Sequence, residues 1–256
     1  MSHHTTHGPD ERMWPPPERT TLINFVLDKS GSMGSIAEAT ISGFNEFKQS
    51  QRYTDGRALF TLTLFDTEIQ RRCTALPIER VADLDRHTYQ PRGCTSLYDA
   101  VGTTILDVDR YLESHGDGIS QVVFVIMTDG LENASREFNH RQVFDMIAER
   151  QARHGYEFVY LGANQDSYAV SGDMGVRARR SRNFIASDAG VREAYACLSS
   201  EMSDYRREGT RHRAAWFEGE TGQGEASGGA GDPGADAPSG NDSDASTQGA
   251  SGAGRP

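Results

Sequence analysis

Two short apolar segments constrain the fold of this chain more than any other feature. Val122–Met127 is an unbroken apolar run, and Leu22–Leu27 is apolar except for Asn24. Runs of this length and composition are typical of strands that helices cover on both faces of a parallel sheet. Both are far shorter than the roughly 20 residues that cross a bilayer, so we expect no membrane-spanning segment.

Helix-like segments separate these strands along the chain. One set of apolar residues recurs at intervals of four, four, three and four, which places it on one face of a helix: Leu97, Val101, Ile105, Val108 and Leu112. Similar patterns over 36–47, 143–147 and 191–205 predict three further helices. Strands that alternate with helices need crossover connections, and such connections produce a mainly parallel sheet.

The remaining strand-like segments complete the predicted sheet. Segments 58–65 and 68–73 lie too close together for a crossover and therefore predict a hairpin at a sheet edge. Segments 156–161 and 183–186 predict two more strands. We therefore predict an α/β fold: a doubly wound, mostly parallel central sheet with an antiparallel edge strand and helices on both faces.

Capping residues predict where two of the helices begin. Asn139 stands before the apolar positions of the third helix, and Gln142 follows three residues later, which is the spacing of a capping box. Asp188 is the predicted cap of the last helix.

Composition divides the chain into three parts. Only 36 % of the residues are hydrophobic, and residues 218–256 contain no Val, Ile, Leu, Met, Phe, Tyr or Trp. A segment without such side chains has no apolar surface to bury, so we predict that 218–256 is a disordered, acidic Gly/Ser/Ala-rich tail. We also predict that residues 1–19 are a disordered N-terminal segment and that 20–217 form a single folded domain.

The charge and cysteine content narrow the function classes. Of the formal net charge of −11, six negative charges lie in 218–256 and one lies in 1–19. The predicted domain is therefore only mildly acidic, which excludes nucleic-acid binding through bulk positive charge. Three widely spaced cysteines indicate no disulfide framework, and the first residues do not resemble a secretory signal, so we expect a cytoplasmic protein.

Oxygen-bearing side chains follow the two buried strands. Asp28, Ser30 and Ser32 come directly after the first strand, Asp129 comes after the central strand, and Thr95 precedes the second helix. In open α/β sheets, ligands bind beyond the carboxyl ends of the strands, where the strand order reverses. Two carboxylates and three hydroxyls form a hard, all-oxygen set, which favours Mg²⁺ or Mn²⁺ over zinc or copper. We predict a metal site made of these five residues; the alternative is that Asp28 and the serines only cap the first helix.

This pattern resembles the metal-ion-dependent adhesion site of the von Willebrand factor type A (VWA) family. The match consists of Asp28-x-Ser30-x-Ser32 after a buried strand, Thr95 before the second long helix, and Asp129 within Thr128-Asp129-Gly130. The resemblance extends over residues 20–210. Cys94 departs from it, since bacterial relatives often have Gly before the threonine.

The resemblance implies both a fold and a function. The fold would be the VWA type, which is Rossmann-like, and the chain would be a member of the bacterial intracellular type. A bound Mg²⁺ would take the Asp or Glu carboxylate of a protein partner, and such members often work beside an AAA+ ATPase or in larger assemblies. We therefore predict a metal-dependent protein-binding module, an adaptor or assembly component rather than an enzyme.

Two other functions remain open at the level of sequence. A metal-assisted phosphoesterase or other hydrolase needs a base, and the nearest charged residue, Lys29, is expected to be a solvated turn residue. A nucleic-acid-binding accessory role would use two arginine clusters, although such clusters are usually solvated faces. The clusters are Arg177, Arg179, Arg180 and Arg182, and then Arg206, Arg207, Arg211 and Arg213.

Four further polar residues lie near the ends of strands. Glu132 and Asn133 would either contact a partner at the rim of the site or supply ordinary loop polarity. Asn164 or Asp166 would either line the same crevice or form a turn and a helix cap.

Overall fold

The structure, a computed structural model, describes residues 19–163 and 167–209, without the side chains of Ser167 and Tyr168. Its strands are β1 (Thr20–Asp28), β2 (Arg57–Phe65), β3 (Ile69–Pro77), β4 (Ile119–Thr128), β5 (Glu157–Ala163) and β6 (Ser181–Phe184). Its α-helices are α1 (Ala37–Arg52), α2 (Leu97–His115), α3 (His140–Glu149), α4 (Ser167–Asp173) and α5 (Asp188–Glu208).

The six strands form one sheet in the order β3-β2-β1-β4-β5-β6. All neighbouring pairs are parallel except β2 and β3, which are antiparallel. The chain moves outward from β1 in one direction to β3 and then returns to place β4 on the other side of β1. The order of the strands therefore reverses between β1 and β4, and the predicted doubly wound fold with an antiparallel edge strand is confirmed.

Helices cover both faces of the sheet. On one face, Phe44 and Phe47 of α1 and Leu198 of α5 pack with Phe25 and Phe60 of the central strands. Helices α2 and α3 cover the other face, where Val101 and Val143 belong to a second apolar cluster that includes Phe124. Strand β1 is buried along its whole length, as its apolar composition predicts.

Of the two predicted helix caps, one is confirmed and one is wrong. Asn139 accepts a hydrogen bond from the backbone of Gln142, whose side chain accepts one from the backbone of Asn139, so the predicted capping box is confirmed. The predicted cap at Asp188 is wrong, because Ser187 has an extended backbone and its hydroxyl accepts from the Gly190 amide. Asp188 is instead the first residue of α5, where its negative charge is favourable in the first turn.

Three features differ from the predicted elements. A 3₁₀ helix over Gly31–Ile36 precedes α1, so Ile36 is not in the α-helix. Helix α4 was not predicted, and β6 begins two residues earlier than the predicted strand. Residues 81–96 form a long connection without an α-helix or strand, and Thr95, a predicted metal ligand, lies near its end.

Several predictions lie outside the described residues. These are the disordered segment 1–19, apart from Arg19, the tail over 218–256, and the roles of Asn164, Asp166, Arg211 and Arg213. Within the described ranges, no helix combines the length and the apolar character that a membrane crossing requires.

Candidate metal centre

The two predicted aspartates lie at adjacent strand ends. Asp28 is the last residue of β1, and Asp129 follows the last residue of the neighbouring β4. These two strands lie side by side in parallel, with Leu27 opposite Met127. This is the point where the strand order reverses, and side chains from both strands can face one ligand there.

Two hydrogen bonds fix the carboxylate of Asp28. Its Oδ1 accepts from the Ser30 amide at 2.6 Å, and its Oδ2 accepts from the Thr128 hydroxyl at 2.6 Å. The side chain is fully buried. The role of Thr128 was not predicted, although its position one residue before Asp129 on the adjacent strand is the signal that could have indicated it.

The two serines connect Asp28 to Asp129. The hydroxyls of Ser30 and Ser32 lie 3.2 Å apart, and the Ser32 hydroxyl donates to Asp129 Oδ1 at 2.5 Å. Ser30 stands before the first 3₁₀ turn, but its side chain makes no capping hydrogen bond. The interpretation that the serines only cap the first helix is therefore not supported, because their hydroxyls face each other and Asp129.

Thr95 reaches the same place from the connection before α2. The backbone of this connection docks on the loop after β1, where the Arg92 amide donates to the Lys29 carbonyl and the Gly31 amide donates to the Gly93 carbonyl. A Cβ atom built at Gly130 would lie 3.1 Å from Thr95 Oγ1 and 3.6 Å from Ser32 Oγ. Thr95 and Ser32 therefore both face the space beside Gly130. The five predicted side chains converge, although they come from three segments of the chain.

The side chains of Glu132 and Asn133 hold the backbone of the loops around the site. Asn133 Oδ1 accepts from the Thr95 amide at 2.9 Å, and the Asn133 amide donates to the Thr95 carbonyl at 3.1 Å. The carboxylate of Glu132 accepts from the backbone amides of Tyr98, Ala134 and Ser135. These contacts favour the loop-polarity interpretation over partner contacts, and they assign Asn133 an unpredicted part in holding Thr95.

The prediction that Lys29 is a solvated turn residue is wrong. Its side chain is 3 % exposed and forms an ion pair with Asp66, which is 2 % exposed. Asp66 follows β2, the other neighbour of β1, so its position also belongs to the carboxyl edge of the sheet. Both strands next to β1 are therefore followed by an aspartate, Asp66 after β2 and Asp129 after β4, and only Asp129 was singled out from the sequence.

Burial dominates the electrostatics of the two aspartates. It raises the pKa of Asp28 to about 6, although hydrogen bonds from Thr128 and Ser30 act in the opposite direction. Burial also raises the pKa of Asp129, and the hydrogen bond from Ser32 offsets only part of this effect. Charged carboxylates at these positions are therefore costly unless a cation accompanies them.

The donor set fits a hard divalent cation. All five side chains offer oxygen, and Gly130 leaves space beside two of the hydroxyls. Within residues 19–163 and 167–209, no group of three or more His, Cys, Asp or Glu side chains is placed to hold a metal ion. The candidate site consists of two carboxylates and three hydroxyls, and this oxygen-only chemistry suits Mg²⁺ or Mn²⁺.

The arginine clusters are largely engaged in structural contacts. Arg180 is fully buried beside Glu157, and Arg182 pairs with Glu193. Arg206 is buried and donates to backbone carbonyls of residues 51, 54 and 56, at the end of α1 and just past it. These three side chains are therefore not part of a free basic surface, whereas Arg177 and Arg179 are exposed.

Comparisons of the whole sequence with known proteins identified no relative of this chain. No family model matches it, and a comparison with curated proteins found no match.

Solved structures, in contrast, share its fold. Proximal thread matrix protein 1 of the mussel byssus, solved with zinc in its MIDAS motif, is 12 % identical, with a TM-score of 0.50 over 73 % of this chain and 46 % of that chain. The vWF domain of the pilus tip protein Mfa5 from Porphyromonas gingivalis is 11 % identical, with a TM-score of 0.50 over 73 % and 95 %. A von Willebrand factor type A protein from Catenulispora acidiphila is 13 % identical, with a TM-score of 0.50 over 73 % and 43 %.

These likenesses concern the fold. The chain spans less than half the length of the mussel and Catenulispora structures, and the sequence identities are low. Each of the three solved structures matches 73 % of the chain. The chain has the fold of a von Willebrand factor type A domain, as its strand-end motif predicts.

Proposed function

We propose that this chain is a divalent-metal-dependent protein-binding module. Asp28, Ser30, Ser32, Thr95 and Asp129 would hold a Mg²⁺ or Mn²⁺ ion, and the ion would accept an Asp or Glu carboxylate from a protein partner. The observation that carries the proposal is the convergence of Ser32, Asp129 and Thr95 beside Gly130.

The donor set explains why a partner's carboxylate would bind. Mg²⁺ prefers six oxygen ligands in an octahedral arrangement. Three of the five side chains are neutral hydroxyls, which donate little charge to a cation. Because Ser32 is exposed and Asp129 is only half-buried, the centre is open to an external ligand. The mussel protein with zinc in its MIDAS motif supports the idea that this fold can hold a divalent metal.

A binding function is favoured over catalysis. In the described part of the chain, the side-chain hydrogen bonds at this site run among the predicted ligands, to Thr128 and to the Ser30 amide. None of these bonds comes from a His, Lys or Cys side chain, and the two carboxylates would be occupied by the ion rather than free to act as general bases. Lys29 is committed to Asp66.

The cellular location and the kind of partner are part of the same proposal. The chain would act in the cytoplasm as an adaptor or assembly component of the bacterial intracellular type. Its partner would be an AAA+ ATPase or a larger assembly that presents an acidic side chain, and neither a membrane nor a nucleic acid would be required.

Two neighbouring serines provide a matched test. The Ser32→Ala variant removes a hydroxyl that faces Asp129, whereas Ser35→Ala removes an exposed hydroxyl from the same 3₁₀ helix. We expect wild type and Ser35→Ala to bind Mg²⁺ in a calorimetric titration and to capture a protein from native lysate with Mg²⁺ but not with EDTA. Ser32→Ala should weaken both.

Two results would contradict the proposal. One is capture that neither EDTA nor Ser32→Ala weakens, since the metal would then have no part in binding. The other is Mg²⁺-dependent hydrolysis of a phosphoester that Ser32→Ala abolishes, since the centre would then be catalytic.

A further inference from the structure

A buried ion pair lies directly behind the candidate metal centre. Lys29 and Asp66 are almost inaccessible to water, and Lys29 stands between Asp28 and Ser30 in the chain. Removing two charges from water is costly, and apolar residues of similar size often stabilise a fold equally well. The presence of charges here therefore calls for a role other than stability.

Asp66 contacts both loops that supply the metal-site residues. Its carboxylate accepts from Lys29 in the loop after β1 and from Arg92 Nε, at 3.3 Å, in the connection that carries Thr95. Its backbone carbonyl accepts from the amide of Ser96 at 3.1 Å, one residue beyond Thr95. A further bond from the Glu68 amide to Oδ1, at 2.7 Å, fixes the carboxylate in its own turn.

Lys29 is held at its backbone as well as at its side chain. Its amide donates to the carbonyl of Phe65, the residue before Asp66, at 2.7 Å. Its carbonyl accepts from the amide of Arg92 at 2.8 Å. Lys29 is thus tied to the end of β2 and to the connection before α2, and any movement of it would displace Asp28 and Ser30.

We propose that Asp66 is a positioning residue of the metal centre. Through Lys29, Arg92 and the Ser96 amide, it sets Thr95 against Asp28 and Ser30 before a cation binds. Because Lys29 balances the charge of Asp66, the carboxylate can hold the two loops in place without adding net negative charge beside Asp28 and Asp129. This inference rests on the proposed metal-binding function, but it concerns residues that are not themselves ligands.

The variant Asp66→Asn tests the role of the charge with little change in shape. We expect the Mg²⁺ dissociation constant of the folded protein to rise about 10- to 100-fold, as is usual when the partner of a metal ligand is removed. In the metal-free protein, hydrogen exchange at the amides of Gly31 and Ser96 should become faster, because the two loops are then less tightly joined.

Glu157→Gln is the matched control. Glu157 forms a second deeply buried ion pair, with Arg180, at the amino end of β5. The candidate metal centre lies at the carboxyl ends of the strands, so this pair is at the opposite end. The substitution should lower the melting temperature and leave the Mg²⁺ dissociation constant of the folded protein within about twofold. This comparison separates positioning from a general loss of stability.

A double apolar replacement also distinguishes positioning from stability, because it should restore stability without restoring Mg²⁺ affinity. The variant Lys29→Met with Asp66→Leu removes both charges, so it leaves no unpaired buried ion. We expect a melting temperature closer to wild type than that of Asp66→Asn, with Mg²⁺ affinity still reduced at least tenfold.

Defined results would overturn the inference. Asp66→Asn with wild-type Mg²⁺ affinity, or a double variant that recovers affinity together with stability, would show that the pair serves packing alone. If wild type binds neither Mg²⁺ nor Mn²⁺, the proposed function fails. Exchange at Gly31 and Ser96 in the metal-free variant then decides separately whether Asp66 joins the loops, and unchanged exchange rejects that role.

Discussion

The hydroxyl of Tyr89 donates a 2.6 Å hydrogen bond to the backbone carbonyl of Asp28, 61 residues earlier in the chain. Both residues are buried, and burial raises the pKa of the Tyr89 phenol well above its usual value. The phenol therefore keeps its proton, and can donate it, at pH values where an ordinary tyrosine would ionise. Tyr89 lies in the long connection over 81–96, so it fixes the end of β1 from a segment with no regular structure.

The variant Tyr89→Phe should lower the free energy of unfolding by about 1–3 kcal/mol, because the Asp28 carbonyl is left buried without its donor. Urea denaturation measures this difference. Tyr195→Phe is the control, since the Tyr195 hydroxyl is buried and has no hydrogen-bond partner within the described residues. Tyr195→Phe should change the free energy of unfolding little. An equal decrease in both variants would show that the hydrogen bond to Asp28 contributes nothing specific to stability.

A methyl group at residue 130 should enter the candidate centre. In Gly130→Ala the new Cβ would lie 3.1 Å from Thr95 Oγ1 and 3.6 Å from Ser32 Oγ, whereas in Gly34→Ala it would meet nothing within 4 Å. We expect Gly130→Ala to fold and to bind Mg²⁺ at least tenfold more weakly by calorimetry. Gly34→Ala should bind as wild type does, and equal binding by the two variants would place the ion elsewhere.

Metal binding should stabilise the folded chain. At about 100 times its dissociation constant, Mg²⁺ should add about 2.7 kcal/mol to the free energy of unfolding, which thermal denaturation detects as a higher melting temperature. Asp129→Asn should show much less of this increase, because the amide replaces a charged ligand. Asp145→Asn, at an exposed helical ion pair, should keep the full increase. A shift that persists in Asp129→Asn would argue against the assigned site.

Asp66 should make stability depend on acid pH. Burial raises the pKa of this carboxyl, but hydrogen bonds from Lys29, the Glu68 amide and Arg92, together with the charge of Lys29, outweigh it, so the pKa lies below the usual 3.8. A carboxyl with a lowered pKa in the folded state stabilises the fold above the unfolded pKa, and the contribution disappears as pH falls through the folded pKa.

The stability difference between wild type and Asp66→Asn should therefore be constant from about pH 7 to pH 5 and should shrink below about pH 4. Urea denaturation at a series of pH values measures it. A difference that stays the same down to about pH 3 would mean that folding does not lower the pKa of Asp66.

The sequence predicts the sheet well because its strands and helices have strong, different periodicities. Val122–Met127 and the stripe from Leu97 to Leu112 indicate β4 and α2 directly. The short spacing between β2 and β3 also predicts their antiparallel pairing. The five metal-site residues could be proposed together because strand ends are predictable and parallel strands bring their carboxyl ends to one edge.

Supporting residues are harder to predict, because no periodicity marks them. Tyr89 lies in a segment without a helical or strand pattern, and only the folded structure brings it to Asp28. Lys29 has the sequence context of an exposed turn, and its burial depends on Asp66, 37 residues away. Ser187 and Asp188 are both good caps, and the backbone angles decide between them.

The order in which the candidate ligands appear along the chain has a consequence for biosynthesis. They fall at residues 28–32, 95 and 129, and the strand that brings the last one alongside β1 is the fourth of six. The oxygen set therefore cannot be complete before residue 129 has been synthesised and β4 has paired with β1. Until then, an emerging chain holds only the oxygen ligands of its first two segments, so the candidate centre forms late in synthesis.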